Sequence, residues 1–279
     1  MPKNESLPNC VWALAAATFV LASSAVLASA QGQTSTSSRI PWKTGPERER
    51  QLSAVLTIRW SSNPLRQALT RLSTGQQVAI LLDRRVDPDQ QIEFSSQGVD
   101  LRQFLEGLAR QLGQGVSHVG PVVYIGPKET ASVLATVTML REQEAQSLPS
   151  AVRSRLKRAT PLRWPELTTP RDLIAQLAAG TGMHVEGVEQ IPHDLWPEAD
   201  LPPLTFAQRM SLVLAGFQLT FRYSQDGSTI RLEPIEPETA VLKRTYTPRV
   251  AAANVVASLA RRYPNANITT EAGKVTVIG

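Results

Sequence analysis

The sequence contains few of the residues on which metal and cofactor chemistry usually depends. It has one cysteine, Cys10, and three histidines in 279 residues. Neither a His-Glu-x-x-His spacing nor paired cysteines occur, so the common zinc sites and iron–sulfur clusters are not expected. The best remaining ligand pair is His193 with Asp194, across a turn from His184, but in a proline-bounded loop such side chains more often bond the local backbone. We therefore predict no metal and no cofactor.

Aromatic residues are also scarce, at 5% of the chain. They are not interleaved with basic residues, as the stacking platforms of nucleic-acid-binding proteins require. Hydrophobic residues make up 42% and charged residues 19%, which is an ordinary globular composition and excludes wholesale disorder or a coiled coil. The net charge of +5 is only mildly basic. No nucleic-acid partner is expected.

Only the N-terminus has an apolar run of membrane length, at residues 11–28. It ends in Ala28-Ser29-Ala30, the small-x-small pattern of a signal-peptidase site. We expect residues 1–30 to be a signal peptide, with retention as a membrane anchor as the alternative. Cys10 lies inside this segment, so the processed chain would have no thiol and no disulfide. The sequence predicts an exported, periplasmic protein, with outer-membrane association left open.

Two further patterns lack the spacing of a ligand site. The densest acidic cluster has four members, Asp83, Asp87, Asp89 and Glu93. It lacks the twelve-residue loop of a calcium site, and Arg84 and Arg85 interrupt it, so we interpret it as a solvated turn. Residues 113–115 (GQG) close a predicted helix, whereas a dinucleotide-binding loop opens one. Neither a nucleophile elbow nor a phosphate-binding loop occurs, and we expect a protein that is not an enzyme.

The remaining pattern is a repeat of short strands and helices. Residues 54–60 alternate like a half-buried strand, and Asn63-Pro64 predicts a helix with Asn63 as N-cap and Pro64 at the first helical position. The predicted helix ends at Gly75, and a strand follows at 78–83. A second helix carries an apolar stripe that begins at Leu101. A similar order recurs from about residue 162, with residues 191–203 interpreted as a loop.

We therefore predict an α+β fold of tandem small βαβ-βαβ sandwich modules followed by a βαββ segment. The predicted divisions are a signal peptide at 1–30, a polar tether at 31–52, module 1 at 53–127, a helical basic linker at 128–160, module 2 at 161–235 and the βαββ segment at 241–279. Modules of this kind leave open sheet edges, which can accept a strand from another chain.

The repeat resembles a known family of domains. Residues 63–69 (NPLRQAL) lead into 78–83 (VAILLD), and 99–105 (VDLRQFL) lead into 122–126 (VVYIG). These cadences resemble the short N-terminal domain shared by secretins and TonB-dependent receptors. Residues 244–259 and 275–279 resemble the ring-building repeat of secretins without its last helix. As a whole, the chain is similar to exported bacterial proteins built on this short domain.

The resemblance implies a role in protein–protein interaction. The sequence holds neither a pore-forming β-domain nor a receptor barrel, so we expect a periplasmic interaction or assembly module of a secretin or TonB-dependent envelope system. Its expected partner is a secretin-type channel, a TonB-dependent receptor or a second copy of the chain. Several modules on one chain would add avidity that one small interface lacks.

The alternative is a module that binds anionic lipid or carbohydrate of the cell envelope. The candidate contacts are a basic run and one aromatic side chain, namely Arg153, Arg155, Lys157, Arg158 and Trp196. The basic run is also typical of a solvated linker helix, and a tryptophan in a proline-bounded loop is about as often a buried anchor as a ligand platform. The two functions differ in salt dependence, because contacts to lipid or glycan by charge weaken as salt is added.

Overall fold

The structure is a computed structural model and describes residues 40–236, 243–262 and 267–278. The predicted signal peptide lies outside the described residues. Module 1 and the helix before it contain these elements in chain order: α1 (Gly45–Leu52), β1 (Val55–Pro64), α2 (Leu65–Gln76), β2 (Ile80–Leu82), β3 (Gln91–Asp100), α3 (Leu101–Gln111), β4 (Gln114–Val119) and β5 (Val122–Pro127). Strands β1 and β3 form a two-stranded antiparallel ribbon. The other three form a mixed sheet of order β2-β5-β4, in which β2 and β5 run parallel.

Two helices, α4 (Lys128–Glu144) and α5 (Ser150–Lys157), lead into module 2. Module 2 consists of β6 (Thr160–Trp164), α6 (Pro170–Ala179), β7 (His184–Glu186), β8 (Ala199–Leu204), α7 (Phe206–Ala215), β9 (Leu219–Tyr223) and β10 (Thr229–Pro234). Its ribbon is β6-β8 and its mixed sheet has the order β7-β10-β9, with β7 and β10 parallel. The two modules therefore have the same topology, strand for strand.

The last described segment has the predicted βαββ order. It contains β11 (Lys243–Tyr246), α8 (Ala252–Arg262), β12 (Asn267–Glu271) and β13 (Lys274–Ile278). The three strands form an antiparallel sheet of order β11-β13-β12. Val275 is its buried side chain among those described. Together with the repeated modules, this segment confirms the predicted α+β class.

The junction between β1 and α2 differs from the prediction. Asn63 and Pro64 still belong to the strand, because they pair with Ile92 and Gln91 of β3. Pro64 is the N-cap, and no side chain caps the helix. At its other end α2 continues past Gly75. The prediction of Asn63 as N-cap is wrong because strand pairing across the ribbon outweighs the local capping signal.

The end of the predicted tether is also structured. Residues 45–52 form α1, which buries Leu52 completely and Arg48 almost completely. This helix was not predicted because its sequence is a run of alternating charges without an apolar face. One of these charged residues, Arg48, nevertheless points inward. The interpretation of 31–52 as a tether is thus wrong for 45–52. Likewise, β8 lies within the predicted loop at 191–203. Its prolines indicate a loop in the sequence, but prolines are tolerated in a strand at the edge of a sheet.

The two modules share one hydrophobic core through β5 and α4. On β5, Val123 and Ile125 face the helices of module 1, whereas Val122 and Tyr124 belong to a second core. That second core continues through Leu134 of α4 into module 2. Helix α4 of the predicted linker is therefore buried on one side and joins the two modules. Within the described residues, no helix is both long and apolar enough to cross a bilayer.

Candidate functional site

The basic run covers α5 and its C-cap, Arg158. Helix α5 packs on module 2 through two apolar residues. Val152 and Leu156 are buried, while Arg155, Lys157 and Arg158 are exposed. Arg153 is half-buried and donates to the backbone oxygen of Gln146 at 2.9 Å. Within the part of the chain that the structure describes, none of the four cations pairs with a carboxylate. The exposed face of α5 is therefore cationic without an apolar side for insertion into a membrane.

Trp196, the other candidate contact, packs against the hydrophobic core. It stacks parallel to Phe217 at 5.9 Å between ring centroids and lies 5.5 Å from the ring of Trp164. Its indole N–H donates to Asp194 at 2.9 Å. Trp196 is thus half-buried with aromatic neighbours. This packing favours the buried-anchor interpretation of Trp196 over the ligand platform, and its role in binding stays a prediction.

The structure also corrects the interpretation of Asp83. Its carboxylate is buried, accepts from Arg85 at 2.8 Å and 2.9 Å, and accepts from the hydroxyl of Tyr124. Burial alone would raise the pKa of Asp83, but these hydrogen bonds outweigh burial and hold the pKa below its usual value. Burial beside Asp83 raises the pKa of Tyr124. The interpretation of the whole acidic cluster as a solvated turn is wrong for Asp83.

The arginines beside Asp83 reach from module 1 to module 2. Arg85 donates to the backbone oxygen of Ala215, the last residue of α7, at 2.9 Å. Arg84 forms an ion pair with Asp194 at 2.5 Å, and its guanidinium lies 5.0 Å from the ring centroid of Phe217. The turn after β2 therefore holds the modules together by polar contacts as well as by the shared core.

A buried cation on α4 forms a further junction with module 2. Arg141 is 2% exposed and donates to the backbone oxygen of Phe221 on β9. Glu144 lies 2.9 Å from it, and Glu233 of β10 lies at 3.6 Å. Burial lowers the pKa of Arg141, opposed mainly by the charge of Glu144. Because breaking a buried pair is costly, this network fixes α4 on module 2.

The histidines do not gather around a metal. His184 and His193 are exposed, and His118 lies between two arginines. Asp194 accepts from the backbone of Leu195, as the predicted backbone-bonding interpretation requires. Among the described residues there is no group of three or more His, Cys, Asp or Glu side chains that could hold a metal ion.

The ribbon of module 1 has the geometry of a docking edge. Each of its strands has one strand neighbour among the described residues, so the other side of each backbone faces no strand. The pairing runs without a bulge from Thr57 to Trp60, opposite residues 94–97. Thr57 and Arg59 are exposed, whereas Trp60 points inward and meets the ring of Phe104 at 5.1 Å. One face of the ribbon therefore packs on module 1, and the alternate residues of β1 are exposed.

The ribbon of module 2 differs in its prolines. Its strands contain Pro161, Pro202 and Pro203. Register shifts occur in both ribbons, between Pro161 and Leu162 in module 2 and at both ends of the Thr57–Trp60 run in module 1. Proline has no backbone N–H to donate and blunts a strand edge. The ribbon of module 1 has a single proline, Pro64, at its end. Of the two ribbons, that of module 1 is the better acceptor of an added strand.

Comparison of the chain with models of protein families, with curated proteins and with solved structures finds no match.

Proposed function

We propose that this chain is a non-enzymatic interaction or assembly module of a secretin or TonB-dependent envelope system, exported to the periplasm. The observation that carries the proposal is the module 1 ribbon, with a bulge-free run at Thr57–Trp60 and no proline within that run. A partner that adds an extended strand there would gain main-chain hydrogen bonds. The repeated topology supports the resemblance to the short N-terminal domain, since both copies carry the same ribbon and mixed sheet.

The joined modules suit a role in assembly. The shared core and the contacts of Arg84 and Arg85 hold both ribbons in one body. Rigid presentation lowers the entropy lost when a partner binds, since fewer internal motions must be frozen. An envelope adaptor has to hold its binding edges at fixed positions relative to one another, and the joined modules would do this.

The proposal is tested by crosslinking the tagged full-length chain in intact cells, followed by affinity purification and mass spectrometry. We expect a secretin-type channel or a TonB-dependent receptor to be recovered and to remain bound at high salt. Recovery of only lipid or glycan that washes off as salt rises would contradict the proposal.

A second candidate function is the binding of anionic envelope lipid or glycan by α5. The specific observation in its favour is the set of four cations on α5 and its C-cap, which have no carboxylate partners in the described part of the chain. Its test replaces all four residues with Glu and measures co-sedimentation with anionic vesicles or polysaccharide at low salt. The matched control reverses four exposed cations elsewhere, namely Arg66, Arg71, Arg110 and Lys128.

The two variants change net charge equally, so only a specific role for α5 predicts a difference between them. Loss of binding in the α5 variant alone would support this second function. Equal retention in both variants would exclude it.

A further inference from the structure

His118 lies on β4 between two guanidinium groups that belong to different helices. Arg48 of α1 places Nη2 2.8 Å from Nδ1 of the imidazole, and Arg102 of α3 places Nη1 3.3 Å from Nε2. A guanidinium group can only donate hydrogen bonds, and a neutral imidazole has one nitrogen that accepts. The shorter contact indicates that Nδ1 accepts from Arg48. A protonated ring would have no acceptor for either arginine.

Arg48 is also the main polar attachment of α1. Its side chain is 5% exposed, and its Nε donates to the backbone oxygen of Pro121 in the β4–β5 turn at 2.7 Å. Two further side-chain hydrogen bonds join α1 to the body of module 1: Gln51 donates to Gln76 at 2.6 Å, and Arg102 donates to Glu49 at 2.8 Å. A change at His118 therefore acts on the residue that holds the middle of α1.

The charges around the ring oppose its protonation. Arg48 and Glu49 face it from α1 and Arg102 faces it from α3, while the β4–β5 turn offers only the carbonyl of Pro121 to Arg48. Glu49 bridges the two arginines at 2.6 Å and 2.8 Å. A protonated ring would place three positive charges beside this one carboxylate. Burial, followed by the charges of Arg48 and Arg102, lowers the pKa of His118 to about 4.

We propose that His118 is a proton-sensitive latch whose protonation releases α1 from module 1. Once α1 has left, the ring regains solvent and loses Arg48, so a proton binds it more tightly in the released state. By linkage, acid then favours release. The latch does not depend on the proposed function, because it concerns only the attachment of α1 to its own module.

The test is hydrogen–deuterium exchange of the full-length chain at about pH 7 and about pH 4.5, corrected for the intrinsic exchange rates. We expect the amides of α1 to lose protection by roughly ten- to a hundredfold at the lower pH, while α2 and α3 keep theirs. The variant His118→Gln retains an acceptor for Arg48 and does not titrate. Its α1 should stay protected at both pH values.

A matched control is His184→Gln, which removes an exposed histidine from β7. This variant should release α1 as the unmodified chain does. Equal protection of α1 at both pH values in the unmodified chain would overturn the proposal. So would the same loss of protection in His118→Gln, or a simultaneous loss in α2 and α3, which would indicate global unfolding.

Discussion

A guanidinium Nη2 of Arg85 lies 2.9 Å from the backbone oxygen of Ala215, so the turn after β2 in module 1 donates to the last residue of α7 in module 2. The same guanidinium bonds the buried carboxylate of Asp83. A cation at the end of a helix satisfies a carbonyl that lacks a partner within the helix and interacts favourably with the helix dipole. One side chain thus neutralises a buried charge and joins the modules.

Removing this side chain should be costly. In Arg85→Met the carboxylate of Asp83 stays buried without its cation, and we expect the free energy of unfolding to fall by about 3–5 kcal/mol. Urea denaturation followed by circular dichroism measures the change. The double variant Asp83→Asn with Arg85→Met removes the charge as well and should recover part of the loss. Unfolding of the single variant at the unmodified chain's urea concentration would contradict this account of the junction.

Gly126 is required by the packing around Asp83. A Cβ at this position would lie 2.7 Å from Cβ of Asp83 and closer still to the hydroxyl of Tyr124. Gly126→Ala should therefore lower the melting temperature by several degrees, as about 1–3 kcal/mol of overpacking would. Gly75→Ala is the control, because that Cβ meets nothing within 4 Å on a helix, and it should stabilise the chain slightly. An unchanged melting temperature in Gly126→Ala would contradict the crowding around this residue.

Trp196 should behave as a core residue. Replacing it with Ala removes the contacts with Trp164 and Phe217, and we expect a loss of about 3 kcal/mol in the free energy of unfolding. Arg158→Glu, at the exposed C-cap of α5, should change stability by less than about 0.5 kcal/mol. Chemical denaturation of both variants measures these two changes in the free energy of unfolding. If Trp196→Ala kept full stability and lost glycan binding, a ligand platform would be the better interpretation.

The pH dependence of stability should separate His118 from Asp83. The pKa of His118 falls from its ordinary 6.5 to about 4 on folding, so the unfolded chain binds the proton more tightly. Stability should therefore decrease as pH falls from about 6.5 to about 4, by at most about 3 kcal/mol. The pKa of Asp83 is also lowered, so its contribution is present above its ordinary 3.8 and is lost only below that value.

Urea midpoints measured across this range provide the check. His118→Gln should flatten the decrease between about pH 6.5 and about pH 4. The double variant at Asp83 and Arg85 should keep that decrease, although it starts from a lower stability. An unchanged slope in His118→Gln would assign the dependence to other groups.

Periodicity was sufficient to predict most of the helices and the strands of the mixed sheets from the sequence, but not α1 or β8. The stripe that begins at Leu101 and the strands at Leu219–Tyr223 and Thr229–Pro234 depend on alternation between apolar and polar residues, which burial on one side produces directly. The βαββ order of the last segment follows from the same signal.

The contacts between modules could not be predicted in this way. Nothing local distinguishes Asp83, which is buried, from Asp87 and Asp89, which lie in the turn after it. Arg48 stands among alternating charges, and its burial depends on Pro121 and His118, which lie far along the chain. Trp196 carried an ambiguous signal because a tryptophan in a proline-bounded loop suits either role. Tertiary packing determines whether these side chains are buried. Of the elements at the junction, only β5 is apolar on both faces, which in the sequence indicates packing on both sides.

The most direct test of the interaction function is site-specific photocrosslinking in living cells, with a photoreactive residue at Thr57 on the module 1 ribbon. A matched probe at Ser154, exposed on α5, reports the competing surface. We predict that Thr57 crosslinks to an envelope channel or receptor and that the adduct yield is unaffected by high salt, with none from Ser154. Adducts from Ser154 alone, or none from Thr57, would contradict docking through the ribbon.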